Sequence, residues 1–570
     1  MKRGISLIVL VITIIVMVIL AGAIILTLNN NGIISKASGA VEKTDYKNVA
    51  TAAQLVYAQY LLGQDIGDLS VGEWIRARLI ENGTITEKQA ALYKFNHDGT
   101  VELIVEEKYD YPLMDAAYYT VSDKGEFNLT DAGKAAAKDG TLTEIVVPYG
   151  ATSIKYSAVK DCISITKVIM PNTVTTIGSG AFSGCTSLNE IVMSKNLESI
   201  SGGKSAFSNT PWLSNEESNS TNGLLISNGV LIDGSSAAGN VIIPNSVKII
   251  NEYAFKNNKN ITDVSMPATV TNIGNYAFRE CTSLKSVQCP ENLTSMGILS
   301  FYKCTALENI NFPESLTYIG YNAFIDCSSL AIDLIIPSGI TEIGDATFSG
   351  CSKIKSVEWS DNLKVIGGGA FKGCNKITSV NLKNVVEIDH QAFMSCTSLS
   401  TIEGANSLEI VRADSFKSTA WLTAQRNTTT DGLVTLGKCL VDGSKATGKV
   451  VIPEGIVSIA SYAFYNNDNI TEVELPTTLL RIEHGSGSGI GTYDGAFYSC
   501  GGITTITIPS NVVLIGAGTF KNCSKLKTIN FLGEIPVCGR SAFYGTGITG
   551  DIKTKIIEKN SVAFEGSIYF

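Results

Sequence analysis

The sequence is dominated by one phrase that returns about every 23 residues. Its copy at residues 176–188 reads TIGSGAFSGCTSL, and Phe182 is taken as position 0. Relative to it, Gly occupies −4, Ala −1, Cys +3 and Leu +6. Further copies are centred on Phe207, Phe255, Phe278, Phe301, Phe324, Phe348, Phe371, Phe393, Phe416, Phe464, Phe497, Phe520 and Phe543. A fixed period of this length is typical of solenoids and propellers, in which each unit buries its apolar face only against its neighbours.

The part of the phrase after the cysteine alternates between apolar and polar residues. In LENINFP, Leu307 and Ile310 point one way, while Asn309 and Asn311 point the other, as in a strand with one buried face. Proline at +12 ends the strand, because it cannot donate to a ladder. A shorter apolar segment then leads to Ile-Gly and the Ala-Phe turn, where glycine at −4 indicates a backbone bend or a positive φ. The fold class predicted for residues 141–570 is therefore a mostly β solenoid with a parallel sheet.

Two steps of 48 residues interrupt the repeat, and each contains a degenerate coil, centred on Ile232 or Val441. The inserted sequences near residues 208–231 and 417–440 match each other at a separation of 209 residues, which indicates an older block duplication. In the first, the apolar runs on either side of Ser-Asn-Gly predict a hairpin. A third insertion, near 484–494, contains GSGSGIG. A phosphate-binding loop would need a strand before it and a helix after it, whereas this stretch adds about ten residues within one coil, so we interpret it as a flexible insertion.

The pattern I-G-x-x-A-F-x-x-C-x-x-L-x-x-V-x-I-P over residues 141–570 resembles the BspA-like, or Treponema pallidum-type, leucine-rich repeat of bacterial surface proteins. The resemblance implies a right-handed, curved leucine-rich-repeat solenoid with a role in adhesion or protein binding. Some members of that family bind host matrix proteins. We therefore expect a protein partner on a host cell, a neighbouring cell or a matrix.

The N-terminus carries a basic leader, residues 1–4, followed by 24 residues without a charge, 5–28. At about 1.5 Å per residue this segment is long enough for a helix that spans the ~30 Å hydrocarbon core. The positive-inside rule places the leader in the cytoplasm and the remaining residues outside the cell. We predict a single-pass transmembrane helix in the cell membrane, with a cleaved secretory signal as the alternative.

The same leader resembles that of the type IV prepilins, in which cleavage follows a glycine and an apolar helix continues into an amphipathic one. Here Lys2, Arg3 and Gly4 precede Ile5, so cleavage would fall between Gly4 and Ile5. The position that is Glu in that family is Val9. The resemblance favours a pilin-like membrane helix, and it leaves a filament component, a minor pilin with the solenoid as its head, as an alternative function.

Residues 29–140 are predicted to form a pilin-like helix followed by a small α+β head. Thr86 and Gln89 have the spacing of a capping box. The segments predicted to be helical are 33–62, 71–80, 86–93 and 130–138, and those predicted to form a hairpin are 94–96 and 100–106.

Several function classes are disfavoured by charge and composition. The formal net charge of −9, with scattered Lys and Arg, argues against nucleic acid as a partner, since phosphate binding requires a basic surface. The three histidines, His97, His390 and His484, lie far apart in sequence, so neither a metal site nor a catalytic triad is expected. We expect no enzyme activity and no cofactor, with an extracellular enzyme as the second alternative function, and nothing in the sequence favours a small-molecule ligand.

Ten of the thirteen cysteines occupy the +3 slot, where Asn258, Asn467 and three threonines replace them. Cysteines stacked in register would have parallel Cα–Cβ vectors, which suit disulfide geometry poorly. No C-x-x-C pair is present. Buried free thiols are therefore predicted, with neither disulfides nor a metal site.

The solvent-facing positions +8 and +10 are the candidate binding face, because repeat proteins bind partners on extended faces of this kind. A soluble sheet face without a binding role is the alternative. Trp212 and Trp421, in the insertions, are expected to pack on the neighbouring coil rather than to contact a partner. The face comprises Asp263, Ser265, Ser286, Gln288, Asn309, Asn311, Ser356, Glu358, Ser379, Asn381, Glu472, Glu474, Thr505, Thr507, Thr528 and Asn530.

The N-terminal alternatives make different predictions for the mature chain. If the leader is processed as in prepilins, mass spectrometry of the N-terminal peptide from the native host will find a terminus at Ile5; if the helix is a plain anchor, it will find Met1. A Gly4→Leu variant is the control, because it should block prepilin-type cleavage alone. Recovery of intact Met1 from the wild type would rule out the filament component.

Overall fold

The computed structural model describes residues 52–54, 56–57, 70–81, 93–96, 100–103, 114–484 and 494–560. The leader with Gly4 and Ile5, segment 5–28 and most of the insertion near 484–494 lie outside the described residues. Within the described ranges, no helix has both the length and the apolar character needed to cross a bilayer. Two compact units are present, Met1–Met114 with Pro148–Ala151, and Asp115–Val147 with Thr152–Phe570.

The first unit contains helix α1 (Val71–Glu81) and the antiparallel pair Tyr93–Phe95 with Val101–Leu103, which confirms the helix and the hairpin predicted there. Ser70 and Glu73 form a capping box: Ser70 Oγ accepts from the Glu73 amide (3.3 Å), and Glu73 Oε2 accepts from the Ser70 amide (2.9 Å). The capping box predicted at Thr86 falls outside the described residues. Trp74, Ile75 and Leu79 of α1 form a small core with Ala53 and Val56.

The second unit begins before residue 141, where the sequence placed the start of the solenoid. An antiparallel pair, Tyr119–Val121 with Glu126–Leu129, precedes helix α2 (Asp131–Asp139). Strand Glu126–Leu129 pairs in parallel with the first short strand of the array, Ser153–Ile154. The segment 115–140 is thus the N-terminal end of the solenoid unit rather than part of a separate head.

Each regular coil contributes two strands, so the apolar segment before Ile-Gly is a strand as well. The long strands lie between slots +6 and +12; they are Glu144–Val146, Lys167–Ile169, Glu190–Val192, Gly239–Ile242, Ile261–Ser265, Ser286–Gln288, Asn309–Ile310, Asp333–Ile336, Ser356–Trp359, Ser379–Asn381, Thr401–Glu403, Gly448–Val451, Ile470–Glu474, Thr505–Ile508 and Thr528–Phe531. The short strands lie before slot −4; they are Ser153–Ile154, Thr176–Ile177, Ser199–Ile200, Ile249–Ile250, Asn272–Ile273, Ser295–Met296, Tyr318–Ile319, Glu342–Ile343, Val365–Ile366, Glu387–Ile388, Ile410–Val411, Ser458–Ile459, Arg481–Ile482, Leu514–Ile515 and Val537–Cys538.

Equivalent residues of successive coils lie side by side in parallel register. Asp263 pairs with Ser286, and Ser286 with Asn309, one repeat apart in each case. The described residues thus form a parallel β-solenoid of about 18 turns, as the period predicted. The strands of each series fall into several shorter sheets rather than one continuous sheet.

The turn from −4 to +3 divides its backbone hydrogen bonds between its own coil and the next one. In the Phe278 coil, the amides of Ala277, Arg279 and Cys281 donate within the coil, each to the carbonyl three residues earlier. The amides of Tyr276, Phe278 and Glu280 donate to the next coil, at 2.9, 2.7 and 2.7 Å. The even-numbered slots −2, 0 and +2 therefore join each coil to the one that follows it.

In the regular coils glycine at −4 is required by close approach and not by a positive φ, which corrects one of the two explanations offered for it; Gly203, at −4 in the Phe207 coil, is the exception with a φ of 59°. A Cβ on Gly297 would lie 2.5 Å from the Asn275 nitrogen of the preceding coil, and one on Gly320 would lie 2.4 Å from the Ile298 nitrogen. Positive φ occurs instead at −2 and +2, as at Asn322 (60°) and Asp326 (59°). Residues −4 to −1 form one turn and residues 0 to +3 form the next. Slots −2 and +2 are the third residues of these turns, the position at which a type II turn needs a positive φ.

The phenylalanines form a stacked ladder inside the array. Adjacent rings from Phe255 to Phe416 are 4.8–5.7 Å apart and within 12° of parallel. Where the ladder is interrupted, a tryptophan ring packs against the last phenylalanine ring. The ring centroids of Trp421 and Phe416 are 5.1 Å apart. Those of Trp212 and Phe207 are 4.6 Å apart. Both tryptophans are buried, which confirms that they pack on the neighbouring coil.

The two matching insertions fold alike. Each begins with a helix, α3 (Pro211–Ser218) or α4 (Ala420–Thr428), and continues into a hairpin. In the first, Leu225–Ser227 pairs antiparallel with Val230–Asp233, as the Ser-Asn-Gly turn predicted; in the second, Val434–Leu436 pairs with Cys439–Asp442. The sequence did not predict these helices. Helix α5 (Asp551–Asn560) follows the last coil.

The type of residue at +3 depends on which element adjoins its coil, because each type forms a different hydrogen bond there. A cysteine thiol donates to the Phe carbonyl of the preceding coil, as Cys304 does to Phe278 (3.1 Å). Asn258 instead follows the first insertion, and its Nδ2 donates to the carbonyls of Gly234 and Ala237, both at 2.8 Å. Asn467 makes the equivalent pair of bonds after the second insertion. Threonine occupies +3 where a helix follows, and Thr210 and Thr419 cap α3 and α4.

Changing Asn258 to the commoner residue, Asn258→Cys, should destabilise the protein. A thiol can donate to one carbonyl only, so a buried carbonyl loses its donor, at a cost of roughly 1–3 kcal/mol. The urea midpoint followed by circular dichroism should fall, and Asn467→Cys should lower it similarly. The control is Asn257→Gly, at an exposed position with φ of 62°, which should leave the midpoint unchanged. A wild-type midpoint for Asn258→Cys would show that the paired amide bonds are dispensable.

Candidate functional site

The long strands present one face to solvent. Along Ile470–Glu474, Val473 is buried while its neighbours Glu472 and Glu474 are exposed, because successive side chains of a strand point to opposite faces. All of the predicted binding positions lie on this outward face, where each is exposed or half-buried. Whether they bind a partner stays a prediction. We call this surface the long-strand face.

The structure joins the predicted residues into short rows that run across the coils. Ser265 lies beside Gln288, Thr505 beside Thr528, and Thr507 beside Asn530. Eight further positions that were not predicted complete these rows. Six of them occupy +8 and +10 of the two degenerate coils and of the Phe393 coil, and two are displaced by one residue in the 24-residue step from Phe324 to Phe348. The eight are Asn240, Ile242, Asp333, Ile335, Thr401, Glu403, Lys449 and Val451.

Two of the predicted binding residues also have a structural role. Asn311 Oδ1 accepts from the Cys289 amide (2.8 Å), and Asn311 Nδ2 donates to the Cys289 carbonyl (2.9 Å). Strand Asn309–Ile310 ends before residue 311, so the Asn311 side chain, and not its backbone, pairs with the amide and carbonyl of Cys289. Ser356 Oγ donates to Asp333 Oδ1 (2.6 Å). Substitution of Asn311 would therefore alter folding as well as any contact.

The long-strand face combines exposed apolar side chains with carboxylates. Ile242 is 71% exposed, and its equivalent in the duplicated block, Val451, is 55% exposed beside Glu474. Lys449 forms ion pairs with both Glu472 (3.2 Å) and Glu474. An exposed apolar side chain therefore recurs at slot +10 in both copies of the duplicated block.

A groove of about 650 Å³ opens on this face where two neighbouring strands, Ile470–Glu474 and Thr505–Ile508, belong to separate sheets. Leu532, 69% exposed, lies at its edge. Predicted binding residues that line the groove are Glu472, Glu474, Thr505 and Thr507.

The cysteines carry no accessible chemistry. All thirteen are buried and free, as the slot positions predicted. Burial raises the pKa of Cys162 to about 11 and that of Cys185 to about 12. A thiolate, the reactive form, is therefore disfavoured at neutral pH, and the protonated thiol serves as a hydrogen-bond donor.

The structure brings together two histidines that the sequence separates widely. Arg412 Nη1 lies 3.4 Å from His484 Nε2, and its Nη2 lies 2.8 Å from Glu387 Oε1. His390 lies next to Asp389, 3.0 Å between Nδ1 and Oδ1, and this hydrogen bond raises the pKa of His390. Asp389 also lies 3.6 Å from Arg412 Nε. Sequence spacing could not reveal this ion-pair cluster, whose members come from different coils. Among the described residues, no three potential ligands converge on a common metal position.

A protein-family model described as the BspA type leucine-rich repeat region matches residues 128–225, 233–332, 331–431, 420–489 and 490–569. No curated protein matches the chain.

Three solved structures are similar to parts of the chain. A leucine-rich repeat protein from Bacteroides ovatus is 20% identical, with 77% of this chain and 92% of that chain covered and a TM-score of 0.28. A leucine-rich cell surface protein from Faecalibacterium prausnitzii is 21% identical over 78% and 100% of the two chains, with a TM-score of 0.23. The T. pallidum leucine-rich repeat protein is 26% identical over 38% and 91%, with a TM-score of 0.21.

The buried thiols should resist alkylation while the protein is folded. At pH 8, iodoacetamide is expected to leave the thirteen cysteines unmodified in the native chain and to modify all of them in 8 M urea, because neither reagent access nor thiolate is available in the fold. Intact mass spectrometry without reductant measures both states. Labelling of the folded chain, or masses two daltons lower per disulfide, would contradict free, buried thiols.

Proposed function

Because the chain belongs to the BspA type leucine-rich repeat family, we propose that it is a membrane-anchored bacterial surface protein whose solenoid binds partner proteins in adhesion. In this proposal residues 5–28 span the cell membrane once, and the solenoid lies outside the cell. The basic leader and the uncharged length of that segment support this topology. The name of the similar F. prausnitzii protein, a cell surface protein, agrees with it.

The observation that carries the proposal is the long-strand face. Polar and exposed apolar side chains stand there in register over successive coils, while the alternate residues hold the core. Protein interfaces combine apolar contact area with a polar surround, and repeat proteins present such faces to their partners. Recognition by this face requires neither a cofactor nor catalysis.

Charge indicates the kind of partner. The rows include Asp263, Asp333, Glu358 and Glu403, and the groove is lined by Glu472 and Glu474. Lys449 neutralises part of the charge at the groove. A partner with basic side chains next to apolar ones would complement both the carboxylates and the exposed Val451 and Leu532.

Reversing the charge at the groove should weaken adhesion without unfolding the protein. In the double variant Glu472→Lys with Glu474→Lys, the added charges repel a basic partner, and we expect at least about a tenfold loss of binding. The full-length chain is displayed on a non-adherent bacterium, and binding to a panel of immobilised extracellular matrix proteins and to epithelial cells is measured.

The matched control is Glu291→Lys with Glu342→Lys, which changes the charge equally at exposed positions outside the long-strand face. It should retain wild-type binding. Adhesion that survives the groove variant and Gln288→Lys with Asn309→Lys would exclude the long-strand face as the binding site. Failure of an impermeant reagent to label solenoid lysines on intact cells of the native host would overturn surface display itself.

A further inference from the structure

The two insertions leave different junctions in the stack, and one of them is open. At each, a tight hairpin replaces a regular coil, and it lacks the full −4 to +3 turn. In the second block the result is a gap of about 490 Å³ between the turns of the Phe416 and Phe464 coils. Its lining includes Asp414, Phe416, Ser461 and Tyr465.

One wall of this gap carries hydrogen-bond donors that every regular junction uses. In the preceding coil, the amides of Gln391, Phe393 and Ser395 donate to the next coil at 2.8 Å each. Their equivalents at the gap are the amides of Asp414 and Phe416, which have no such backbone partner within the described part of the chain. Buried main-chain donors of this kind are ordinarily paired, and leaving one unpaired costs roughly 1–3 kcal/mol.

The opposite wall carries the matching acceptors. In a regular coil, the carbonyls at −3, −1 and +1 accept from the coil before. In the Phe464 coil, Ala463 at −1 accepts from Gly443 of the hairpin (2.7 Å). The carbonyls of Ser461 and Tyr465, at −3 and +1, accept no backbone amide among the residues described. The gap thus has donors on one side and acceptors on the other, as if one turn of polypeptide were missing.

In the first block the two coils touch at the same junction, and the carbonyls of Glu252 and Lys256 accept no backbone amide there either among the residues described. The step from Phe182 to Phe207 is two residues longer than that from Phe393 to Phe416, and the addition falls at Gly202 and Gly203. Gly202 donates its amide to Glu252 Oε2 of the next regular coil (3.2 Å). A Cβ on Gly203 would lie 3.0 Å from the Glu252 carbonyl oxygen, so the two coils are in contact there.

Charges around the open gap are already paired. Arg426 Nε donates to Asp442 Oδ1 at 2.9 Å, and Lys417 Nζ lies 3.1 Å from Asp414 Oδ2. These pairs do not favour an ionic ligand. The groups that remain, alternating amides on one wall and carbonyls on the other, match the main chain of an extended peptide, which has both.

We propose that this gap is a second binding site, which takes an extended peptide segment of a partner protein through main-chain hydrogen bonds. The inference goes beyond the long-strand face and does not depend on it, because its groups lie on the turn side of the coils. The peptide completes the stack between the Phe416 and Phe464 coils, with Tyr465 and Phe416 next to its side chains.

The test uses the full-length chain in detergent micelles and a phage-displayed library of random dodecapeptides. The closed control replaces residues 412–414 by SGGKS, the sequence of residues 201–205, and Ser444→Trp fills the gap from an exposed position if that graft does not fold. Peptides selected on the wild type should bind each control at least about tenfold more weakly. Absence of any peptide that distinguishes the wild type from both controls would overturn the proposal.

Main-chain recognition has its own readouts. N-methylation of alternate peptide bonds should weaken a selected peptide at least about tenfold, and unchanged affinity would refute hydrogen bonding to the main chain. Hydrogen exchange of the Phe416 amide should be slowed by the peptide, whereas the already paired Phe393 amide should not change. Glu472→Lys with Glu474→Lys should leave peptide binding intact, which separates this site from the long-strand face.

Discussion

The structure depends on how the turn of each coil divides its amides. Odd-numbered slots hold the turn together, and even-numbered slots bind the following coil, so one short segment supplies both local and long-range hydrogen bonds. This division requires positive φ at −2 and +2 and close backbone approach at −4. The Phe ladder and the +3 thiols then fill the space that these bonds enclose. The long-strand face, by contrast, is free to vary, because none of these contacts involves its side chains.

The period, the inward residues and the parallel register could be predicted from sequence, because repetition averages over local ambiguity. The exceptions could not. Asn311 has the alternation of a surface residue, yet it bonds to Cys289 because the strand ends early. Asn258 looks like a tolerated substitution, but its amide spans two carbonyls of an irregular neighbour. The cluster around Arg412 joins residues from separate coils. In each case the deciding contact is with another coil whose geometry departs from the repeat.

The block duplication supplies a comparison within one molecule. Both insertions share a capping threonine, a helix, a covering tryptophan and a hairpin. They differ in two residues, Gly202 and Gly203, which bring the coils into contact in the first block. The second block lacks their counterparts, and its junction is open. The long-strand face differs as well, since acids gather near the second block, around Lys449. The copies thus keep the features that stack coils and diverge where a partner could be bound.

The division of amides also makes the array directional. Along the turns, each coil offers donors toward the C-terminus and acceptors toward the N-terminus, so the turn side of the stack has two unlike ends. During synthesis from the N-terminus, the last folded turn has unpaired amides, and the carbonyls of the following coil pair with them. Assembly can then proceed coil by coil without rearrangement of what is already built. Shortening the array from its C-terminal side would expose amide donors along the last turn, whereas shortening it from the other side would expose carbonyl acceptors along the first turn.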